Sequence, residues 1–265
     1  MQKILGGSGM RHFLSKLFGE RRKYGDIIAL HEYSCVYFAI PKVANTSFKA
    51  LISDLLKSQI TNQYLNEKLQ AFPFRHDAGK DYLRDKTILI SFKDARELKT
   101  YWKFCFVRNP WDRLVSCFIG KILSKNRNNK NFENGVFKPF IKNYGNTFYS
   151  GMSFESFVDA VSEISDHEAN RHFRSQHSFI TDSPSNHLAV DFIGYLERVS
   201  DDFRHVSQKC GFQPDIRLPH LGKKKRPHYT EYYTRSMIEK VGRRYDTDIK
   251  IFGYEFDRIP PRRDI

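Results

Sequence analysis

The chain has 265 residues, 44 Lys+Arg against 30 Asp+Glu for a net charge of +14, and 40% apolar residues that include 23 Phe. This suffices for one large α/β domain or two small ones with a sizeable core. The positive excess favours polyanions, anionic lipid or highly phosphorylated small molecules, without choosing among them.

No run approaches the ~18 uninterrupted apolar residues of a membrane-spanning helix, and the basic opening stretch lacks the apolar segment of a secretory signal. The sequence therefore reads as soluble and cytoplasmic, compatible with peripheral attachment to a membrane. Cys35, Cys105, Cys117 and Cys210 show no CxxC spacing, and the histidines form no HExxH cluster. These patterns argue against a disulfide framework or a metal site. No nucleic-acid-binding motif is present.

Residues 1–24 read as a basic arm and 25–265 as one domain without a linker. "DIIALHE" and "CVYFAI" look like strands. "SFKALISDLLKS" places Phe48, Leu51, Ile52, Leu55 and Leu56 at helical spacing. "TILISF" is a strand candidate, "DARELKTYW" a short helix, "KFCFV" a strand and "WDRLVSCFIGKIL" a helix. Residues 125–150, rich in Asn, Lys and Gly, read as an exposed excursion or lid. "FESFVDAVSEI", "DFIGYLE", "SDDFRHVSQKC" and "SMIEKVGRRYDTDIKIFGYEF" complete the alternation. Fully apolar strands between helices predict a mostly parallel sheet covered on both faces.

Two strand-to-helix junctions carry the chemistry. At the first, "CVYFAIPKVANTSFKALI", the strand ends at Pro41 and the helix begins near Thr46 or Ser47, either of which can cap it. A short loop running into a helix N-terminus presents unpaired N–H groups and the positive end of the helix dipole. With the Lys42 ammonium and two hydroxyls, this makes a cradle for phosphate or sulfate oxygens. The equally open alternative is an ordinary connection with a solvent-facing lysine. GxxxxGK[ST] is absent, so it is not a Walker A loop.

At the second junction, "FCFVRNPWDRLVSCF", Asn109 is the expected N-cap, Pro110 the first helical residue and Asp112 a first-turn acid. Trp111, Leu114, Val115, Phe118 and Ile122 form the expected buried stripe. Arg108 ends the strand and Ser116 lies about two turns into the helix. A guanidinium fork grips phosphate and a serine hydroxyl adds a donor; alone, Arg108 reads equally as an ion-pair partner of Asp112.

Together and in this order, the junctions resemble the carbohydrate sulfotransferases, the Golgi chondroitin and dermatan enzymes and their bacterial relatives. "PKVANTSFK" resembles the family's 5′-phosphosulfate loop. "FVRNPWDRLVSCF" resembles its 3′-phosphate motif, an Arg with a Ser eight residues on. "NRHFRSQ", "DFIGYLERVSDDF" and the Tyr-rich C-terminal stretch extend the likeness from about Tyr33 to Phe256. One departure is Asn45, where many relatives have Gly or Cys.

The resemblance implies a P-loop-like α/β fold with a central parallel sheet, and 3′-phosphoadenosine 5′-phosphosulfate (PAPS) as donor with the bisphosphate PAP as product. It also implies a carbohydrate hydroxyl as acceptor, on a glycan, an anionic one included, or a glycolipid. Lys42, Val43, Ala44, Asn45, Thr46, Ser47 and Phe48 would hold the 5′ end, and Arg108 with Ser116 the 3′-phosphate. Lys42 would neutralise charge on the leaving oxygen, and no metal is required. His76, in "FPFRHDAGK", is the candidate general base, with His172 and His177 as rivals. Two other classes stay open: a nucleotide-dependent kinase with a P-loop-like site, and a non-catalytic polyanion- or glycan-binding protein.

Overall fold

The computed structural model describes residues 25–59, 89–123, 131–133, 135–182, 187–221 and 226–261. In chain order the elements begin with β1 (Asp26–Leu30), β2 (Cys35–Ala39), α1 (Asn45–Gln59), β3 (Leu89–Ile90), α2 (Phe92–Glu97), β4 (Trp102–Val107) and α3 (Pro110–Lys121). Next come β5 (Phe132–Glu133), β6 (Val136–Phe137), α4 (Lys138–Tyr144), α5 (Phe154–Glu163) and β7 (Phe192–Tyr195). The last are α6 (Val199–Cys210), α7 (Arg235–Arg244) and α8 (Asp246–Phe252). Among the described residues no helix is long and apolar enough to cross a membrane.

These elements fall into two compact units. The first takes its described residues from Met1–Phe106 and Ser178–Lys223, the second from Val107–His177 and Lys224–Asp264. The first holds a five-stranded sheet in the order β3-β1-β2-β4-β7. Every residue of β1 and β2 is buried, as the unbroken apolar runs predicted. β2 pairs parallel with β4, from Cys35↔Trp102 to Phe38↔Cys105.

The sheet is mixed, however, because β1 runs antiparallel to both β2 and β3. Chain length dictates this departure from the mostly parallel expectation. β1 and β2 are joined by one 3₁₀ turn, His31–Tyr33, with Ser34 in the left-handed region at φ 45°. A parallel crossover needs a dozen residues or more. Helix α2 also begins earlier than expected: Ser91 caps it through a reciprocal capping box with Asp94, and Trp102, assigned to the helix, begins β4 instead.

The second unit is built on α3, α5, α7 and α8 with a dense aromatic centre. Residues 125–150 were expected to form an exposed excursion or lid; the described part keeps many exposed residues but buries Val136, Phe140 and Phe148 in the core. Phe140 and Phe148 are 0% and 2% exposed. The Phe148 ring packs at a tilt within 6 Å of Phe140, Phe157 and Phe173. The large apolar area of these rings outweighs the polar composition of the surrounding sequence.

Candidate active site

The β2–α1 junction lies wholly in the first unit. Phe48 holds the start of α1 to the sheet, 4.9 Å from Tyr37 and 4.6 Å from Phe106, and to α6, 6.2 Å from Phe203. Lys49 adds an ion pair with the buried carboxylate of Asp26. Tyr37 donates to Asn45 Oδ1 at 3.0 Å. Burial first, then the neighbouring Cys105 and Asp26, pushes the Tyr37 phenol well above its ordinary pKa, so it stays a neutral donor.

The loop between strand and helix is the unusual part. Lys42 has φ 73° and Ala44 φ 47°, both left-handed although neither is glycine. Such backbone costs on the order of 1–2 kcal/mol per residue and persists only where the surroundings impose it. Alternating left-handed residues turn successive N–H groups to one side and create an anion-binding concavity.

Helix α1 starts at Asn45, slightly before the expected Thr46 or Ser47. Its first turn closes with Phe48 N–H to Ala44 O at 3.1 Å. Asn45, Thr46 and Ser47 precede that bond, so their N–H groups have no acceptor within the helix. Phe48 was counted among the residues that hold the 5′ end; its N–H is bonded to Ala44 and its ring is buried in the core. Ser47 is buried too, and its hydroxyl is tied to the backbone of Leu221, accepting from its N–H at 3.1 Å and facing its carbonyl at 3.4 Å. Lys42, Ala44 and Asn45 are half-buried, Val43 is buried and Thr46 is exposed.

The β4–α3 junction lies in the second unit from Val107 onward. Asn109 caps α3 as expected, accepting from Trp111 N–H at 3.0 Å and Asp112 N–H at 3.4 Å, with Pro110 following. Its amide also donates to the carbonyls of Glu255 at 3.0 Å and Phe256 at 3.2 Å. The predicted buried stripe is present from Trp111 to Ile122. Ser116 is half-buried on α3.

Arg108 pairs with Asp112, Nε and Nη2 each 2.8 Å from Oδ2. The other oxygen of Asp112 is held by Arg226. Burial alone would raise the Asp112 pKa, but the two guanidiniums outweigh it and hold the carboxyl below its usual range. Asp112 thus stays charged and gathers two cations at one place.

Sequence reasoning placed Gln176 and Asp248 in family-like stretches and His177 among the rival bases, but gave none of them a role behind Arg108. Gln176 accepts from Arg108 N–H at 3.0 Å and donates to Arg108 O at 2.8 Å. Asp248 in turn accepts from the N–H groups of Gln176 at 2.7 Å and His177 at 2.9 Å, and meets His177 Nδ1 at 2.7 Å. The buried Arg113 supports the same turn by donating to the carbonyls of Arg174 at 2.8 Å and Arg171 at 3.4 Å. One local signal was available: Asp248 shares the buried face of α8 with Phe252, four residues on, an odd place for an acid without a partner.

His172 binds Asn170 Oδ1 at 2.7 Å and packs edge-on against Phe137, so it helps shape its own loop. His76, the first-choice base, lies outside the described residues, as do residues 1–24 and the lysines at 223–225.

Comparison with known proteins bears on these two junctions together. No solved structure gives a significant match. Carbohydrate sulfotransferase 10 of Homo sapiens is 24% identical over 245 residues, covering 86% of this chain and 67% of the relative. Carbohydrate sulfotransferase 14 of Danio rerio is 23% identical over 266 residues, covering 96% of this chain and 69% of the relative. The model of the sulfotransferase family matches residues 25–255, which takes in both junctions and the Gln176–Asp248 support, and the chain belongs to that family.

Proposed function

We propose that this protein transfers the sulfuryl group of PAPS to a hydroxyl of a carbohydrate acceptor. The observation that carries the reading is the doubly left-handed loop at Lys42 and Ala44 directly before α1. A strained backbone at two L-residues has a functional reason when its N–H groups must meet an anion. The carbohydrate acceptor is supported by the names of the relatives, both carbohydrate sulfotransferases. A parallel β2–β4 pair followed by this loop and helix also supports a P-loop-like description of the first unit.

In this reading the backbone at 44–47 and the Lys42 ammonium take the 5′-phosphosulfate, and Arg108 with Ser116 takes the 3′-phosphate. The acceptor oxygen attacks sulfur while the bond from sulfur to the 5′-phosphate oxygen breaks. The electron pair leaves with PAP and the hydroxyl proton passes to a general base, for which His76 is the candidate. Lys42 offsets the charge growing on the leaving oxygen, an electrostatic contribution made before the reaction begins. Asn45 and Thr46 lend N–H groups, while Val43 and Phe48 hold the loop through the core.

Calorimetry with PAP, followed by transfer of labelled sulfate from PAPS to a panel of glycans, tests this. Magnesium-independent PAP binding and labelled glycan are expected. Nucleotide binding that needs magnesium and prefers ATP overturns the reading in favour of a kinase, and binding without transfer in favour of a glycan-binding relative.

A further inference from the structure

We propose that Gln176 is a positioning residue for the donor: its carboxamide fixes the backbone of Arg108 so that the guanidinium meets the 3′-phosphate preorganised. This rests on the assignment of Arg108 made above.

Arg108 is the first residue beyond β4, where the strand ends. Gln176, 68 positions later, bonds both its main-chain groups, taking the N–H at 3.0 Å and giving to the carbonyl at 2.8 Å. Its amide thereby imitates the paired rung of a neighbouring strand. The glutamine is itself held: it is 0% exposed, and its N–H bonds to Asp248, also 0% exposed, at 2.7 Å. A side chain with three rotatable bonds is useful for positioning only when both ends are fixed, and here they are. Asp112 then sets the direction of the guanidinium through Nε and Nη2. Backbone and head group of Arg108 are thus held by different residues.

A purely structural glutamine would affect stability or all ligands alike. A positioning glutamine affects the part of binding that depends on the 3′-phosphate. The test compares PAP with adenosine 5′-phosphate, which lacks that group, by calorimetry on the full chain. In Gln176→Met, which keeps length but loses both hydrogen bonds, the preference for PAP is expected to fall at least tenfold. Affinity for adenosine 5′-phosphate should change little, and KM for PAPS should rise more than kcat falls.

If the methionine variant does not fold, Asp248→Asn decides. It keeps the shape and one acceptor oxygen, and should lower the same preference about threefold. An unchanged preference in a folded variant, or equal loss for both nucleotides, overturns the inference. Absence of PAP binding by the wild-type chain overturns the donor assignment itself, so the two failures are distinguishable.

Discussion

The Ser47 hydroxyl accepts a hydrogen bond from the N–H of Leu221, 174 positions away and two residues before a run of three lysines and an arginine that begins at 223. In the first turn of α1, a residue expected to face phosphate instead fastens the segment leading into the most basic stretch of the chain. Ser47→Ala removes a buried acceptor while Leu221, an exposed residue, regains water. A loss of about 1 kcal/mol is expected, read from the urea midpoint, with the slope of the transition unchanged.

The left-handed backbone of Lys42 separates its main-chain cost from its side-chain role. Lys42→Ala and Lys42→Gly both lose the ammonium, and both should lower turnover about 100-fold or more. Only glycine relieves φ 73°. Lys42→Gly should therefore be more stable than Lys42→Ala by about 1 kcal/mol, measured by thermal or urea unfolding. Equal stabilities would mean that the loop relaxes when the lysine is absent, and that the strain belongs to the side chain's own contacts.

Much of this architecture was legible because local chemistry and global fold agree. Apolar runs at Asp26–Leu30 and Cys35–Ala39 became buried strands, and Asn109–Pro110–Asp112 became a capped helix start. The Arg108–Asp112 pair was readable from i,i+4 spacing. What escaped was non-local or set by length. The short 3₁₀ turn at His31–Tyr33 reverses β1, a consequence of too few residues for a crossover. Ser47 and Gln176 find partners 174 and 68 positions away, which no periodicity encodes. Phe140 was hidden by polar neighbours, although rings of that size seldom stay outside a core.

His177 gives the second unit a pH dependence of definite sign. Burial lowers its pKa, but the Asp248 bond and charge, helped by Asp166 and opposed by Arg244, raise it overall above the ordinary value. A raised folded-state pKa contributes stability that is complete below the unfolded value of about 6.5. As pH rises beyond that, the unfolded chain releases its proton while the folded one retains it, and stability falls until the folded pKa is passed. His177→Gln should flatten this decline relative to wild type in unfolding curves taken between about pH 6 and 9. A slope left intact assigns it to other histidines.

Gly194 in β7 packs closely against the ring of Phe106. A Cβ there would lie 2.7 Å from Cδ1 and 2.8 Å from Cζ of Phe106, inside van der Waals contact. Phe106 is 0% exposed and its ring lies 4.6 Å from Phe48, which seats the first turn of α1. The ring is buried and must shift to admit the methyl, so Gly194→Ala is expected to disturb its contact with Phe48 at the start of α1. Overpacking of this kind costs about 1–3 kcal/mol, and the ring it disturbs packs against the first turn of α1, beside the proposed donor loop. Gly194→Ala should therefore lower the unfolding midpoint and also weaken PAP binding. Pairing it with Phe106→Leu, which removes the obstructing edge, should restore binding more than stability, since the smaller side chain leaves a cavity of its own. Loss of stability with PAP affinity intact would show that the strain is absorbed before it reaches α1.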